Sequence, residues 1–118
     1  MQLARREDIR VLVFLPPLPC QVIDLLLHKS EKYAYINEVR RTLAAAVDHY
    51  YDFLDPSNIG SRDSEFLDGL HAGEVTHLRI LEKIGQDPAS GLSPYLDRRK
   101  ISACIEQYQD NYVVPSPF

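Results

Sequence analysis

YYDFLDPSNIGSRDSEFLDGLHAGEVTHLRIL, from Tyr50 to Leu81, is the stretch whose reading decides the fold. It opens with Tyr and Phe, which favour a pleated, half-buried strand, here over residues 50–54. Asp55-Pro56-Ser57-Asn58-Ile59-Gly60-Ser61 is turn chemistry throughout, so a long polar loop is expected over 55–65. Asp68-Gly69-Leu70-His71 follows, and then a helix over about 73–84 with Val75, Leu78, Leu81 and Ile84 on one stripe. Glu74 lies in its first turn, where the helix dipole favours an acid. Gly85 is expected to end it.

Upstream, residues 5–10 are charged and read as helical. Ile9-Arg10-Val11-Leu12-Val13-Phe14-Leu15 is then nearly continuously apolar, which predicts a strand over 9–15 buried on both faces, as in a parallel sheet covered by helices. Pro16-Pro17-Leu18-Pro19 stops it, because proline cannot donate to a ladder and biases the residue before it. Residues 21–28 form a short helix candidate, and Ser30 is placed to cap the next one. Over 31–48, Ile36, Val39, Leu43 and Val47 recur at helical spacing, and three alanines at 44–46 favour helix. Strand, helix and strand in that order predict a βαβ unit with a right-handed crossover. Downstream, 87–93 reads as loop. A last helix is expected over 97–108 with Ile101, Cys104, Ile105 and Tyr108 on one face, and 113–118 as a frayed tail. No internal repeat is visible.

Length and composition narrow the function classes. The 118 residues predict one domain, spanning 1–118, with its core over 9–84 and a helical tail over 85–118. A hydrophobic share of 45% and a charged share of 25% are globular rather than disordered values. A formal charge of -4 argues against nucleic acid as a partner, and Arg98-Arg99-Lys100 reads as a solvated helix face. The longest apolar run is too short to span a bilayer, and its prolines spoil it as a signal peptide, so a cytoplasmic location is the default expectation. Cys20 and Cys104 are expected to be buried, reduced thiols. No cysteine or histidine pattern has metal-ligand spacing, and no cofactor is expected.

Asp68 and His71 carry the one local pattern suited to chemistry. Residues three apart on a helical turn share a face, so this carboxylate is placed to reach this imidazole. A carboxylate on one ring nitrogen fixes the tautomer and leaves the other nitrogen as a general base. Gly69 between them allows a tight bend or close approach of a ligand. The bland alternative is an Asp capping the helix beside a surface histidine. His71, Glu74 and His77 follow at i, i+3 and i+6, which spreads the histidines around a helix and offers no H-E-x-x-H. His28 and His49 read as structural, and Tyr33, Tyr35, Tyr50 and Tyr51 as packing residues. Arg62 lies near the motif, where it could meet an anionic substrate or simply lie on a loop surface.

In this context the chain resembles the SGNH (GDSL-like) hydrolase family, in its last block. Tyr51-Asp52-Phe53 is similar to the strand that leads into that block, and Asp68-Gly69-Leu70-His71 to its D-x-x-H motif. The strand ending in Phe14-Leu15-Pro16-Pro17 looks like the one before the last crossover helix. The resemblance covers about residues 9 to 84, and more loosely points to the branch that handles acyl groups on cell-wall or exported polysaccharide. It implies Asp68 and His71 as catalytic residues of a serine esterase or acyltransferase, acting on an acyl ester or acylated glycan. Complete relatives of that kind would be exported or envelope-associated. The family's nucleophile lies in a Gly-Asp-Ser block and its oxyanion donors in two further blocks. None of these occurs here, and Asp63-Ser64 echoes the first only in part and in the wrong place.

The expected architecture is therefore α/β: two parallel strands with about four helices, the carboxyl-terminal part of a flavodoxin-like, three-layer sandwich. A base and its orienter without nucleophile or oxyanion donors cannot complete acyl transfer, so the chain alone is expected to be inactive. Two parallel strands are a poor independent unit. A missing amino-terminal half, a partner chain or homo-oligomerisation through the sheet edge is expected to cover them. The rival reading is a small non-catalytic interaction module, or a truncated reading frame, that binds a protein through that edge and the Pro16–Pro19 loop.

Overall fold

The computed structural model of the protein describes residues 2–115. It is a mixed helix-and-strand structure. The elements in order are α1 (Gln2–Arg6), β1 (Val13–Leu15), α2 (Cys20–Ile23), α3 (Tyr35–Ala46), β2 (Tyr50–Asp52), α4 (Glu74–Gln86) and α5 (Arg98–Tyr108), with short 3-10 turns in the α2–α3, β2–α4 and α4–α5 connections. The strands pair in parallel, Val13 opposite Tyr50, Phe14 opposite Tyr51 and Leu15 opposite Asp52. Pairing extends one step further, where the Phe53 N–H donates to the Leu15 carbonyl at 3.1 Å.

Strand alternation divides the side chains of β2 between two faces. Tyr51 and Phe53 point the same way and stack, ring centroids 6.0 Å apart. That face packs on α4 through Phe53, Ile59, Ile80 and Ile84, with Leu12 and Leu92 at the margin. Tyr50 and Asp52 point towards α3, where Arg40 Nε donates to the Asp52 carboxylate. Helices therefore flank both faces of the short sheet.

The larger core lies away from the sheet. Val75 and Leu78 of α4 meet Ile101, Cys104 and Ile105 of α5, and Val114 closes the cluster from the chain beyond α5. Asp97 caps α5 by accepting from the Lys100 N–H at 3.0 Å.

Several expectations are corrected. The strand over 9–15 contracts to Val13–Leu15 and is not buried on both faces: Phe14 is 42% exposed and Ile9 59%. Among the described residues no further strand pairs with its other edge. The helix over 31–48 divides into a 3-10 turn (Glu31–Tyr33) and α3, and Ser30 makes no side-chain cap. No α3 residue is buried; Ile36 and Leu43 are half-covered and Val39 is exposed. The helix over 21–28 is α2 followed by a π turn (Asp24–His28). Gly85 does not end α4. The helix runs on to Gln86 and stops because Pro88 holds Asp87 extended. Gly85 instead lies under Leu96, whose Cδ1 would be 2.6 Å from an added Cβ. Cys20 is exposed and only Cys104 is buried. The expected frayed tail is half wrong: Val114 is 3% exposed and part of the core, while 116–118 lie outside the described residues.

The result is a flat, open layer of 42 × 37 × 18 Å. Its radius of gyration is 15.6 Å, where a compact chain of this length would have about 13.5 Å. Its accessible surface is 7823 Å², against about 6,500 Å² for a folded monomer of this mass. Exposed apolar side chains are spread over the surface, Leu3, Ile9, Phe14, Val39 and Tyr95 among them.

Candidate functional site

The loop after β2 is ordered by its own acids. Asp55 accepts from the Ser57 N–H at 2.9 Å and opens a turn that closes at Gly60, whose φ of 69° is the left-handed conformation glycine tolerates best. Asp63 then reaches back 43 residues and accepts from the Cys20 N–H at 2.8 Å, capping α2. Its negative charge, after desolvation, pushes the Cys20 thiol up, away from thiolate chemistry. The Leu18 N–H donates to the Leu54 carbonyl at 3.1 Å, so this loop lies over the carboxyl ends of both strands.

From there the chain forms a small hairpin. Phe66 and Ala72 make an antiparallel bridge, and the Leu67 N–H donates to the His71 carbonyl at 2.8 Å. Asp68-Gly69-Leu70-His71 is its tip. The four residues are not a helical turn, as the spacing suggested, because α4 begins only at Glu74. The Asp68 side chain shapes the tip itself. Its Oδ1 accepts from the Leu70 N–H at 2.7 Å and the His71 N–H at 2.8 Å, an Asx turn. Its Oδ2 lies 2.7 Å from His71 Nδ1.

These contacts determine the protonation pattern. The hydrogen bond from His71, then the two backbone N–H groups, hold the Asp68 carboxyl at about 2. An ionised carboxylate only accepts, so Nδ1 carries the proton and Nε2 of neutral His71 presents a lone pair. That is the arrangement a general base requires. Both side chains are open to solvent, Asp68 at 56% and His71 at 73%. Gly69 has nothing within 4 Å of an added Cβ and no left-handed φ, so the free chain does not require glycine there.

Beneath the hairpin lies a network the sequence reading missed. Glu65 is fully buried and accepts from Arg79 Nη2 at 2.8 Å and Nε at 3.0 Å. Ser61 Oγ donates to its Oε2 at 2.8 Å, and the Asp110 N–H donates to its Oε1 at 3.2 Å. Burial pushes the Glu65 carboxyl up, but the bonds from Arg79, Ser61 and Asp110 outweigh it and leave the group below its ordinary value. Thr76 Oγ1 joins through Ser61. The only signal is Thr76 and Arg79, three apart on α4 beside its apolar stripe.

The other candidates disperse. Arg62 pairs with Asp110 instead of facing the tip. Glu74 turns to the Val114 N–H at 2.6 Å, and His77 Nδ1 lies 2.8 Å from the Gly73 carbonyl. His28 pairs with Asp24. Among the described residues no cluster of three or more His, Cys, Asp or Glu is arranged to hold a metal ion. The hydroxyls of Ser57, Ser61, Ser64 and Ser102 donate to Asp55, Glu65, Asp110 and Glu82 respectively, and none of these four is aimed at His71. The cleft formed by Arg5, Arg10, Asp48 and His49 and the one formed by Asn37, Arg40, Tyr50 and Asp52 both exclude the Asp68–His71 pair. Among the described residues no helix is long and apolar enough to cross a membrane. Against family models, curated proteins and solved structures the chain has no match.

Proposed function

We propose that this chain supplies the base half of a serine esterase or acyltransferase of SGNH type, acting on an acyl ester or acylated glycan. Asp68 orients His71, and His71 Nε2 takes the proton from a serine carried outside residues 1–118. The observation that carries this reading is the 2.7 Å contact between Asp68 Oδ2 and His71 Nδ1, set by a carboxylate that also accepts two backbone N–H groups. The parallel pair of strands, helices on both faces and a loop over the strands' carboxyl ends support a place in a flavodoxin-like sandwich, where such ends hold the site. Exposed Phe14 and Val39 support a missing or separate layer against β1 and α3.

The test is hydrolysis of p-nitrophenyl acetate. The 118-residue chain and its His71→Ala form should give equal background rates. Assembled with the Gly-Asp-Ser-bearing polypeptide sought in the coding sequence upstream of Met1, the chain should turn over ester, and His71→Ala should remove about 10²–10⁴-fold of the rate. No such block in frame or in an associated chain, or turnover indifferent to His71, would refute the reading.

A second reading has its own support. The same uncovered β1 edge and α3 stripe suit a non-catalytic interaction module, or self-association through that edge. It predicts a stable complex whose formation is unaffected by Asp68→Asn or His71→Ala.

A further inference from the structure

The chain beyond α5 does not leave the molecule; it returns to both feet of the hairpin that carries Asp68 and His71. At the first foot, the Asp110 N–H donates to the buried Glu65 carboxylate, and the Asp110 carboxylate takes Arg62 and, at 3.3 Å, Ser64 Oγ. At the second foot, the Glu74 N–H donates to the Tyr112 carbonyl at 2.7 Å, and the Val114 N–H donates to Glu74 Oε2 at 2.6 Å. Between them sits Gly73, whose own N–H donates to the Glu65 carbonyl at 2.9 Å. A Cβ on Gly73 would stand 2.4 Å from the Tyr112 carbonyl oxygen and 2.6 Å from that of Glu65, so the three backbone segments touch where only glycine fits. Asp110 makes the return possible with a φ of 70°, a left-handed conformation that Asp tolerates better than most residues. Val114 then anchors the segment in the α4–α5 core.

From this geometry we infer that residues 109–114 are a brace that positions the Asp68–His71 tip, with Glu74 as its key positioning residue. The tip has no burial of its own to hold it, because both side chains are solvent-exposed. Its order comes from the Asx turn above and the clamped feet below. The brace contributes no group to the reacting atoms; it fixes where His71 Nε2 points. Its significance for catalysis rests on the base role proposed for His71.

The test reads the tautomer of His71 by ¹⁵N NMR on the whole chain, a quantity that a general loss of stability does not move. Glu74→Ala removes the acceptor for Val114, while Glu74→Gln keeps an oxygen there. Ile84→Val loosens the other core cluster, between α4 and the sheet, which contains no residue of the brace. The expected result is that the Nδ1–H form dominates in the parent chain, Glu74→Gln and Ile84→Val, and becomes the minority in Glu74→Ala. Should Glu74→Ala fail to fold, the exposed Arg62→Ala, which removes the ion pair to Asp110, decides the matter and should shift the tautomer the same way. An unchanged tautomer in Glu74→Ala or, in its place, Arg62→Ala, or an equal shift in Ile84→Val, would overturn the inference. This readout needs no ester turnover. A brace that responds as expected in a chain that fails the esterase test would sink only the hydrolase reading.

Discussion

Glu65 and Arg79 meet in a bidentate pair, at 2.8 and 3.0 Å, with the carboxylate completely buried and the guanidinium nearly so. A buried pair of this kind costs desolvation to form, and its removal from one side leaves an uncompensated charge. Arg79→Ala should therefore lower unfolding stability by about 3–5 kcal/mol, read as a lower denaturant midpoint. Arg79→Lys should recover only part, since an ammonium cannot reproduce the planar fork. A loss under about 1 kcal/mol for Arg79→Ala would mean that the pair is solvated like a surface ion pair.

Two glycines within the same hairpin should behave oppositely. Gly69 has open space and no left-handed φ, so Gly69→Ala should be neutral or raise stability by up to about 1 kcal/mol through the unfolded chain. Gly73 is pressed between two carbonyls, so Gly73→Ala should cost about 1–3 kcal/mol. Equilibrium unfolding of the two variants checks this, and equal effects would contradict the close approach of Tyr112.

Acid should release the tip in a low window. Asp68 ionises at about 2, below its ordinary 3.8, so it binds fewer protons folded than unfolded. Its stabilising effect is complete above 3.8 and is lost as pH falls through about 2. A carboxyl ¹³C titration of Asp68 should find that midpoint, with the Leu70 and His71 amides moving in parallel. A midpoint near 3.8 would show the carboxylate free of its three donors.

Alkali should loosen the sheet instead. Desolvation, then the hydrogen bond to Asp87, pushes the Tyr51 phenol up to about 12 from an ordinary 10.0. The Tyr51 hydroxyl donates to Asp87 Oδ2 at 2.7 Å, tying β2 to the end of α4. The folded state holds this proton more tightly, so the contribution is present below 10.0 and fades as pH rises to about 12. The tyrosinate absorbance of the parent chain minus that of Tyr51→Phe isolates this step, and a midpoint near 10.0 would contradict it.

What was legible from the residues was local. Aromatic residues before a proline-led turn gave β2, the apolar stripe gave α4, and Ile101, Cys104 and Ile105 gave the face of α5. The proximity of Asp68 and His71 followed from spacing, though through an Asx turn rather than a helix. What escaped was long-range. Glu65 reads as a surface acid in a polar loop, because Arg79 and Asp110, which bury it, lie 14 and 45 residues away. Val114 reads as tail for the same reason. The stripe on α3 is apolar, but a stripe states only that cover is wanted, and among the described residues Ile36 and Leu43 receive it in part and Val39 does not.

Asp68 Oδ2 holds the proton of neutral His71 on Nδ1, which leaves Nε2 with its lone pair free. The most direct measurement is the ¹⁵N spectrum of the neutral His71 imidazole in the parent chain and in Asp68→Asn, whose amide would turn N–H groups towards Nδ1. The Nδ1–H tautomer is expected in the parent and the Nε2–H tautomer in Asp68→Asn. The Nε2–H form in both would contradict it.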